Sequence, residues 1–263
     1  MARNGNASGN GPSPSAALLD RPLTARSVIA SLLLGRHPPS APSALLVRWC
    51  ALFGIAETSA RVALTRMVQR GELSADGGTY ALSGRIRSRQ ADQDFALDPG
   101  LAPWSGEWLL AVTHRGARDA DERIALRREL EHQRMVPLRD GVWTRPDNLP
   151  SPASQRSAQC TWWRAEALEP VDLGVILDSF EVEAREARTC ALLEMLSTAT
   201  ARLPDAEALP GAFVTGAAVA QHLRRDPLLP QELLPPAWHA GELRDAYRDY
   251  LVRFSSAVAA WAR

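Results

Sequence analysis

The sequence predicts an α+β protein built in three parts, and three observations carry that prediction. Residues 44–82 read as helix, short turn, helix, then two short extended segments around Asp76-Gly77-Gly78. Residues 106–165 alternate strand-like and helix-like segments in the order β-α-β-β-α-β. From about residue 171 onward the apolar pattern is helical.

The first of these organises the chain. Two apolar-periodic segments, residues 44–53 and 58–69, are separated by Gly54-Ile55-Ala56-Glu57. In the second, Ala60, Ala63, Leu64, Met67 and Val68 recur at i, i+3, i+4, i+7, i+8 and predict one buried face. Thr58, Ser59, Arg61, Val62, Thr65, Arg66 and Gln69 fall on the other face. Gly71 ends the helix as a left-handed C-cap. Residues 72–75 and 79–82 then close a tight hairpin. Helix, turn, helix, hairpin is the order of a winged helix-turn-helix, whose second helix enters the DNA major groove. On that reading Thr58, Ser59, Arg61, Val62, Thr65 and Arg66 face DNA, joined by Thr79 on the wing and Arg85 just beyond it. The competing reading is a small helical core domain that ends in a hairpin.

At 263 residues the chain has room for two or three small domains, and its 46% hydrophobic content is ordinary for a globular protein. Net charge is +0, so a basic surface must be local. Every basic residue apart from histidine is Arg. Arg forks suit phosphate, but with the abundant Ala, Gly and Pro this usage fits a GC-rich coding sequence, which lowers the weight of any single Arg. Cys50, Cys160 and Cys190 are too far apart for a CxxC pair, and the five histidines show no HxxxH spacing. No metal site and no cofactor is therefore expected. No membrane-length apolar run and no signal-peptide core are found, which predicts a cytoplasmic protein.

In chain order, residues 1–20 are rich in Asn, Gly, Ser and Pro and are expected to be a disordered tail. Residues 21–98 form the DNA-binding part. Its first helix spans residues 23–34, with Thr24 as N-cap and Val28, Ile29, Leu32 and Leu33 as its apolar stripe. Pro38-Pro39 breaks the chain before the second helix. In residues 83–95, Arg85, Arg87 and Arg89 read either as a DNA-backbone contact beside the wing or as a solvated helix start.

Residues 99–170 form a ferredoxin-like central domain, with strands at 106–113, 135–138, 141–145 and 159–165. A helix over 121–133 carries Ile124, Leu126 and Leu130 on or near its apolar face, and a weak helix is expected over 148–156. Some nucleases of this fold carry an acidic residue at the end of the first strand. Here Thr113-His114-Arg115 stands there, and Asp119 and Asp121 fall in the following loop. Residues 171–263 form a helical C-terminal domain, with helices over 179–203, 209–223 and 242–261. In the last, Tyr247, Tyr250, Leu251, Phe254 and Val258 read as core.

The run Asp226-Pro227-Leu228-Leu229-Pro230, with Glu232-Leu233-Leu234-Pro235 and Trp238, resembles the PaaX family of bacterial repressors of phenylacetate-degradation genes. The resemblance extends to Gly54-Ile55, Arg61, Ala63-Leu64, Arg66 and Val68, to Trp104-Ser105-Gly106-Glu107-Trp108, and to residues 127–130 with Gly141-Val142-Trp143. It implies a winged-helix domain, a ferredoxin-like domain and a helical C-terminal domain. It also implies dimeric binding to a double-stranded DNA operator, relieved by an aromatic acyl-CoA thioester such as phenylacetyl-CoA. Ala56 stands where the family often carries a polar N-cap, which makes Thr58 the alternative cap of a shorter helix.

The sequence thus predicts a homodimeric transcriptional repressor of phenylacetate catabolism that is not an enzyme and does not engage a membrane. The alternatives are a metal-dependent nuclease acting through the central domain and an effector-independent DNA-binding protein. Trp162, Trp163 and Arg164, with Arg224-Arg225, lie in sequence beside the junction of the central and C-terminal domains. They are the candidate effector contacts, since an acyl-CoA needs an apolar slot and Arg forks for its phosphates. The alternative is inter-domain packing for the two Trp and a solvated helix end for the Arg pair.

Overall fold

The computed structural model describes residues 23–114, 119–150, 156–167 and 173–263, the side chains of Arg85, Ser88, Leu173 and Val175 excepted. The tail over residues 1–20 lies outside the described residues. The chain runs α1 (Ala25–Leu34), β1 (Ser40–Pro42), α2 (Ser43–Ala51), α3 (Glu57–Gln69), β2 (Leu73–Asp76), β3 (Thr79–Leu82) and α4 (Gly84–Leu97). It continues β4 (Glu107–Thr113), α5 (Ala120–His132), β5 (Val136–Arg139), β6 (Val142–Pro146) and β7 (Cys160–Glu166). It ends α6 (Leu173–Ser179), α7 (Val182–Ala201), α8 (Leu209–Arg224) and α9 (Ala240–Ala262). Among the described residues this is a mixed α+β architecture with two small sheets and a helical C-terminal region. No described helix is long and apolar enough to cross a membrane.

Two compact units form. The first takes the described residues of Met1–Gln93 with Leu192–Gln221 and Leu243–Arg263. The second takes Asp94–Ala191 with His222–Glu242.

In the first unit, α1 opens on a capping box. Thr24 Oγ1 accepts the Ser27 N–H at 3.2 Å, and Ser27 Oγ accepts the Thr24 N–H at 2.8 Å. Val28, Ile29, Leu32 and Leu33 are buried, as the stripe predicts. The segment after Pro38-Pro39 is not a simple break. It forms β1, which pairs antiparallel with β3 (Ser40 opposite Ala81, Pro42 opposite Thr79), so the sheet has the order β1-β3-β2. A three-residue strand containing Pro carries no alternation from which to read it.

The helix α3 begins at Glu57 rather than Thr58, so Thr58 is not its cap. Ala56 is the N-cap, with no side-chain hydrogen bond, and its carbonyl already accepts the Ala60 N–H at 3.0 Å. Ala60, Leu64 and Met67 are buried, whereas Val68 is 36% exposed. Eight residues at 3.6 per turn rotate Val68 about 80° away from Ala60, off the centre of the buried stripe. At the other end the Glu72 N–H reaches the Met67 carbonyl and the Gly71 N–H the Val68 carbonyl, both at 2.9 Å, with Gly71 at φ +66°. That is a Schellman cap, which needs the left-handed conformation that glycine takes freely. Gly77 and Gly78, at φ +51° and +81°, close the β2–β3 hairpin with a two-residue turn in which both central residues are left-handed.

Trp49 of α2 is fully buried at the centre of this unit's aromatic core. Phe53, Phe213, Phe254 and Trp261 pack around it edge-on, with ring centroids 5.5–5.8 Å away. The α9 aromatic stripe is therefore core. Tyr250 is buried, donates its hydroxyl to the Ala212 carbonyl at 2.8 Å, and lies against the backbone of Gly216.

In the second unit, a sheet of order β5-β6-β4-β7 has antiparallel neighbours throughout. Leu109, Ala111, Trp143 and Cys160 of the sheet pack with Leu126 and Leu130 of α5. Ile124 lies outside this face, 47% exposed. Asp119 caps α5, accepting the Glu122 N–H at 2.7 Å. The helix expected over 148–156 does not form at residues 147–150, and residues 151–155 lie outside the described residues. Asn148 is instead held in irregular backbone: its side chain donates to the Leu228 carbonyl at 2.8 Å and its carbonyl accepts the Ala102 N–H at 2.9 Å. Proline at 150 disfavours a helical conformation for the residue before it. The long helix expected from residue 179 starts at Val182, because Glu181 takes φ +54° and separates α6 from α7. A second core gathers Trp108, Ile176, Phe180, Val182, Leu229 and Leu233.

Candidate nucleic-acid interface

The outward face of α3 carries Thr58, Ser59, Arg61, Val62, Thr65, Arg66 and Gln69, all exposed. Val62 is 48% exposed, an apolar side chain with a methyl surface to offer. Thr58, Ser59, Val62 and Arg66 line a groove of about 430 Å³ together with Arg26 of α1 and with Arg70. The sequence pattern identified the α3 residues but not the groove, since Arg26 comes from a helix read purely as core.

Charge on this surface is partly spoken for. Arg61 Nε donates to Glu57 Oε1 at 2.8 Å, one helical turn back, with both side chains well exposed. Thr65 Oγ1 donates to the Arg61 carbonyl at 3.2 Å, which orients its methyl group. Arg26 makes a two-pronged contact with Glu72, Nε to Oε2 and Nη2 to Oε1, each at 2.9 Å. These bonds hold the Glu72 carboxyl below the usual carboxylate range, against the opposing effect of its burial. Thr79 is exposed at the start of β3, directly after the glycine turn. Arg85 falls in α4, and its side chain lies outside the described residues.

Of the five candidate effector residues, three lie on β7 and two at and just beyond the end of α8. Adjacent residues of β7 alternate faces. Trp162 packs on the α5 side of the sheet and donates Nε1 to the Ser157 carbonyl at 3.1 Å. Trp163 is 57% exposed. Arg164 Nε donates to Asp147 Oδ2 at 2.5 Å and lies 3.8 Å from Glu107. Arg224 ends α8, and the Arg225 carbonyl accepts Arg185 Nη1 at 2.7 Å.

Two features escaped the sequence. Arg145 on β6 is 3% exposed, and its Nε finds no acceptor among the described residues. Burial pushes its guanidinium down to about 10, against the opposing pull of Asp147. Glu186, Cys190 and His239 also converge, although their spacing matches no metal motif.

Among the residues read as potential nuclease carboxylates, Asp119 is committed to capping α5 and Asp121 lies exposed in that helix's first turn.

Two family models match the chain. One, described as PaaX-like protein, matches residues 24–86, which contain the α3 face. The other, described as the PaaX protein central Cas2-like domain, matches residues 101–162. Among solved structures, the uncharacterized protein Rv0674 from Mycobacterium tuberculosis is 37% identical, with a TM-score of 0.73 over 91% of this chain and 99% of that one. No curated protein matches. With its N-terminal and central segments both matched in the family's order, the chain belongs to the PaaX family.

Proposed function

We propose that the protein is a DNA-binding transcriptional regulator, a repressor released from its operator by an aromatic acyl-CoA such as phenylacetyl-CoA. Membership of the PaaX family is the observation that carries this reading. The order α1-β1-α2-α3-β2-β3, with β2 and β3 joined by a glycine turn, supports a winged helix-turn-helix with α3 as the recognition helix. The antiparallel order β5-β6-β4-β7 over α5 supports a ferredoxin-like central domain. Arg61 suits guanine O6 and N7, and the Thr65 methyl suits thymine.

One such unit reads a short site. Two-fold symmetry doubles it, so the active species is a homodimer on a near-palindromic operator with half-sites one helical turn, or a multiple of it, apart. The effector acts by binding the DNA-free state more tightly than the DNA-bound one.

The test uses the full chain and DNA selected by it from a random pool. Light scattering, free and DNA-bound, reports the dimer; a monomer in both states rejects it. The complex is then titrated with phenylacetyl-CoA, other aromatic acyl-CoAs, free phenylacetate and free CoA. Release by a thioester but not by its free acid supports the switch. Intact binding with no release by any thioester removes the acyl-CoA, and no sequence-selective binding removes the regulator. Cleavage of the DNA on adding magnesium or manganese would replace the regulator with a nuclease.

A further inference from the structure

Among the described residues, one group of three metal-ligating side chains has its donor atoms within 4.8 Å of one another: Glu186, Cys190 and His239. We infer that Glu186, Cys190 and His239 form a zinc-class divalent cation site, with three protein ligands and a fourth position open to water.

Glu186 and Cys190 are one turn apart on α7 and so project from the same face. His239 comes from the segment just before α9 and is held at two points. Its backbone N–H donates to Glu186 Oε2 at 3.2 Å, and its Nδ1 shares a hydrogen bond with Glu186 Oε1. Cys190 Sγ stands 3.3 Å from Glu186 Oε1 and 3.8 Å from His239 Nδ1. Zinc bonds of about 2.0–2.3 Å in a tetrahedral arrangement separate neighbouring donors by roughly 3.3–3.8 Å. Two of the three separations therefore already suit the ion. The third pair is closer because a proton bridges it, and the cation takes that proton's place. Binding releases this proton and the Cys190 thiol proton to water, leaving a thiolate, a carboxylate and a neutral imidazole as ligands.

The mixed sulfur, nitrogen and oxygen set suits zinc or cobalt(II) and disfavours magnesium and calcium, which take oxygen ligands. The exposed Cys190 leaves one side of the site open to solvent. The other two cysteines are buried, and burial pushes the Cys50 thiol up to about 11, so neither competes as a ligand.

The test takes the chelator-treated full chain and titrates it with cobalt(II), then zinc(II). The expected result is one equivalent of cobalt with a thiolate-to-metal charge-transfer band, displaced by zinc, and a rise in unfolding temperature with zinc. Cys190→Ser leaves the Glu186–His239 contact in place and keeps the fold by circular dichroism. It should lose the charge-transfer band and weaken zinc binding by about tenfold or more. His239→Gln should weaken it similarly. Absence of stoichiometric binding to the wild-type chain overturns the site. Binding that survives unchanged in both variants does so too.

Discussion

Glu57 sits one turn ahead of Arg61 on the face proposed to meet DNA, and the two side chains are joined there. An exposed i,i+4 pair of this kind is worth about 0.3–0.5 kcal/mol to folding. It also bears on the proposed DNA binding, since the carboxylate both repels phosphate and occupies the guanidinium. Arg61→Ala should cost about 1–3 kcal/mol on the selected site and relax its sequence preference. Equal losses on selected and random DNA would make Arg61 a phosphate contact instead. Glu57→Gln should tighten binding by about twofold, the equivalent of the pair's strength. Fluorescence anisotropy at one fixed salt concentration measures both, and unchanged affinity for Glu57→Gln would mean the pair does not compete with DNA. Glu72 gives a pH prediction. Its hydrogen bonds to Arg26 lower its folded-state pKa below the unfolded value of about 4.3. The pair's stabilisation is thus fully present above that pH and is lost as pH falls through the lower folded value. Glu72→Gln should flatten the decline in urea midpoint over that acid window, and an unchanged slope would rule the pair out as its source.

At the scale of elements, what was legible in the sequence is whatever local periodicity encodes. The buried residues Ala60, Leu64 and Met67 and the exposed residues opposite them follow from 3.6-residue spacing alone. Gly71 and the Gly77-Gly78 turn announce themselves because their conformations exclude most other residues. The start of α3 lies one residue before the expected Thr58 because no side chain caps it, and a backbone carbonyl leaves no mark in the sequence. The strand β1 carries no local signal, because only its distant partner β3 makes it a strand. Nor could Arg26 be assigned to the groove, or His239 be joined to a cysteine 49 residues away, since only tertiary packing brings them together. Gly84 tests the local geometry. It holds φ +54°, and a Cβ there would stand 2.5 Å from the Gly71 carbonyl oxygen. Gly84→Ala should therefore destabilise by about 1–3 kcal/mol or more, since strain and a backbone clash add. Chemical denaturation measures it, and a loss below about 0.5 kcal/mol, the usual range for a surface change, would mean the backbone relaxes freely.

At the scale of the whole molecule, the core around Trp49 is assembled from parts that lie far apart in the chain. Phe53 comes from just after α2, Phe213 from α8, and Phe254 and Trp261 from α9. Arg48 adds to this by stacking over the Trp261 ring at 4.7 Å and donating to the carbonyls of Trp261 and Ala262. Trp49→Ala should cost about 3–5 kcal/mol, in the range of large aromatic deletions from a core. It should lower the denaturant midpoint without changing any group on the outward face of α3. A loss near 1 kcal/mol would mean that the neighbouring rings collapse into the space.

The filling of the Trp49 core by residues of α8 and α9 has a consequence for how the protein is made. The segment carrying α3 emerges from the ribosome well before Phe254 and Trp261 of α9 are translated. Until they arrive, the nascent N-terminal helices present an unfilled apolar surface, and closing it requires contacts across most of the chain, a slow kind of step. Premature termination within α9 therefore leaves the unit that carries α3 with an incomplete core, even though every residue of α3 itself has been synthesised.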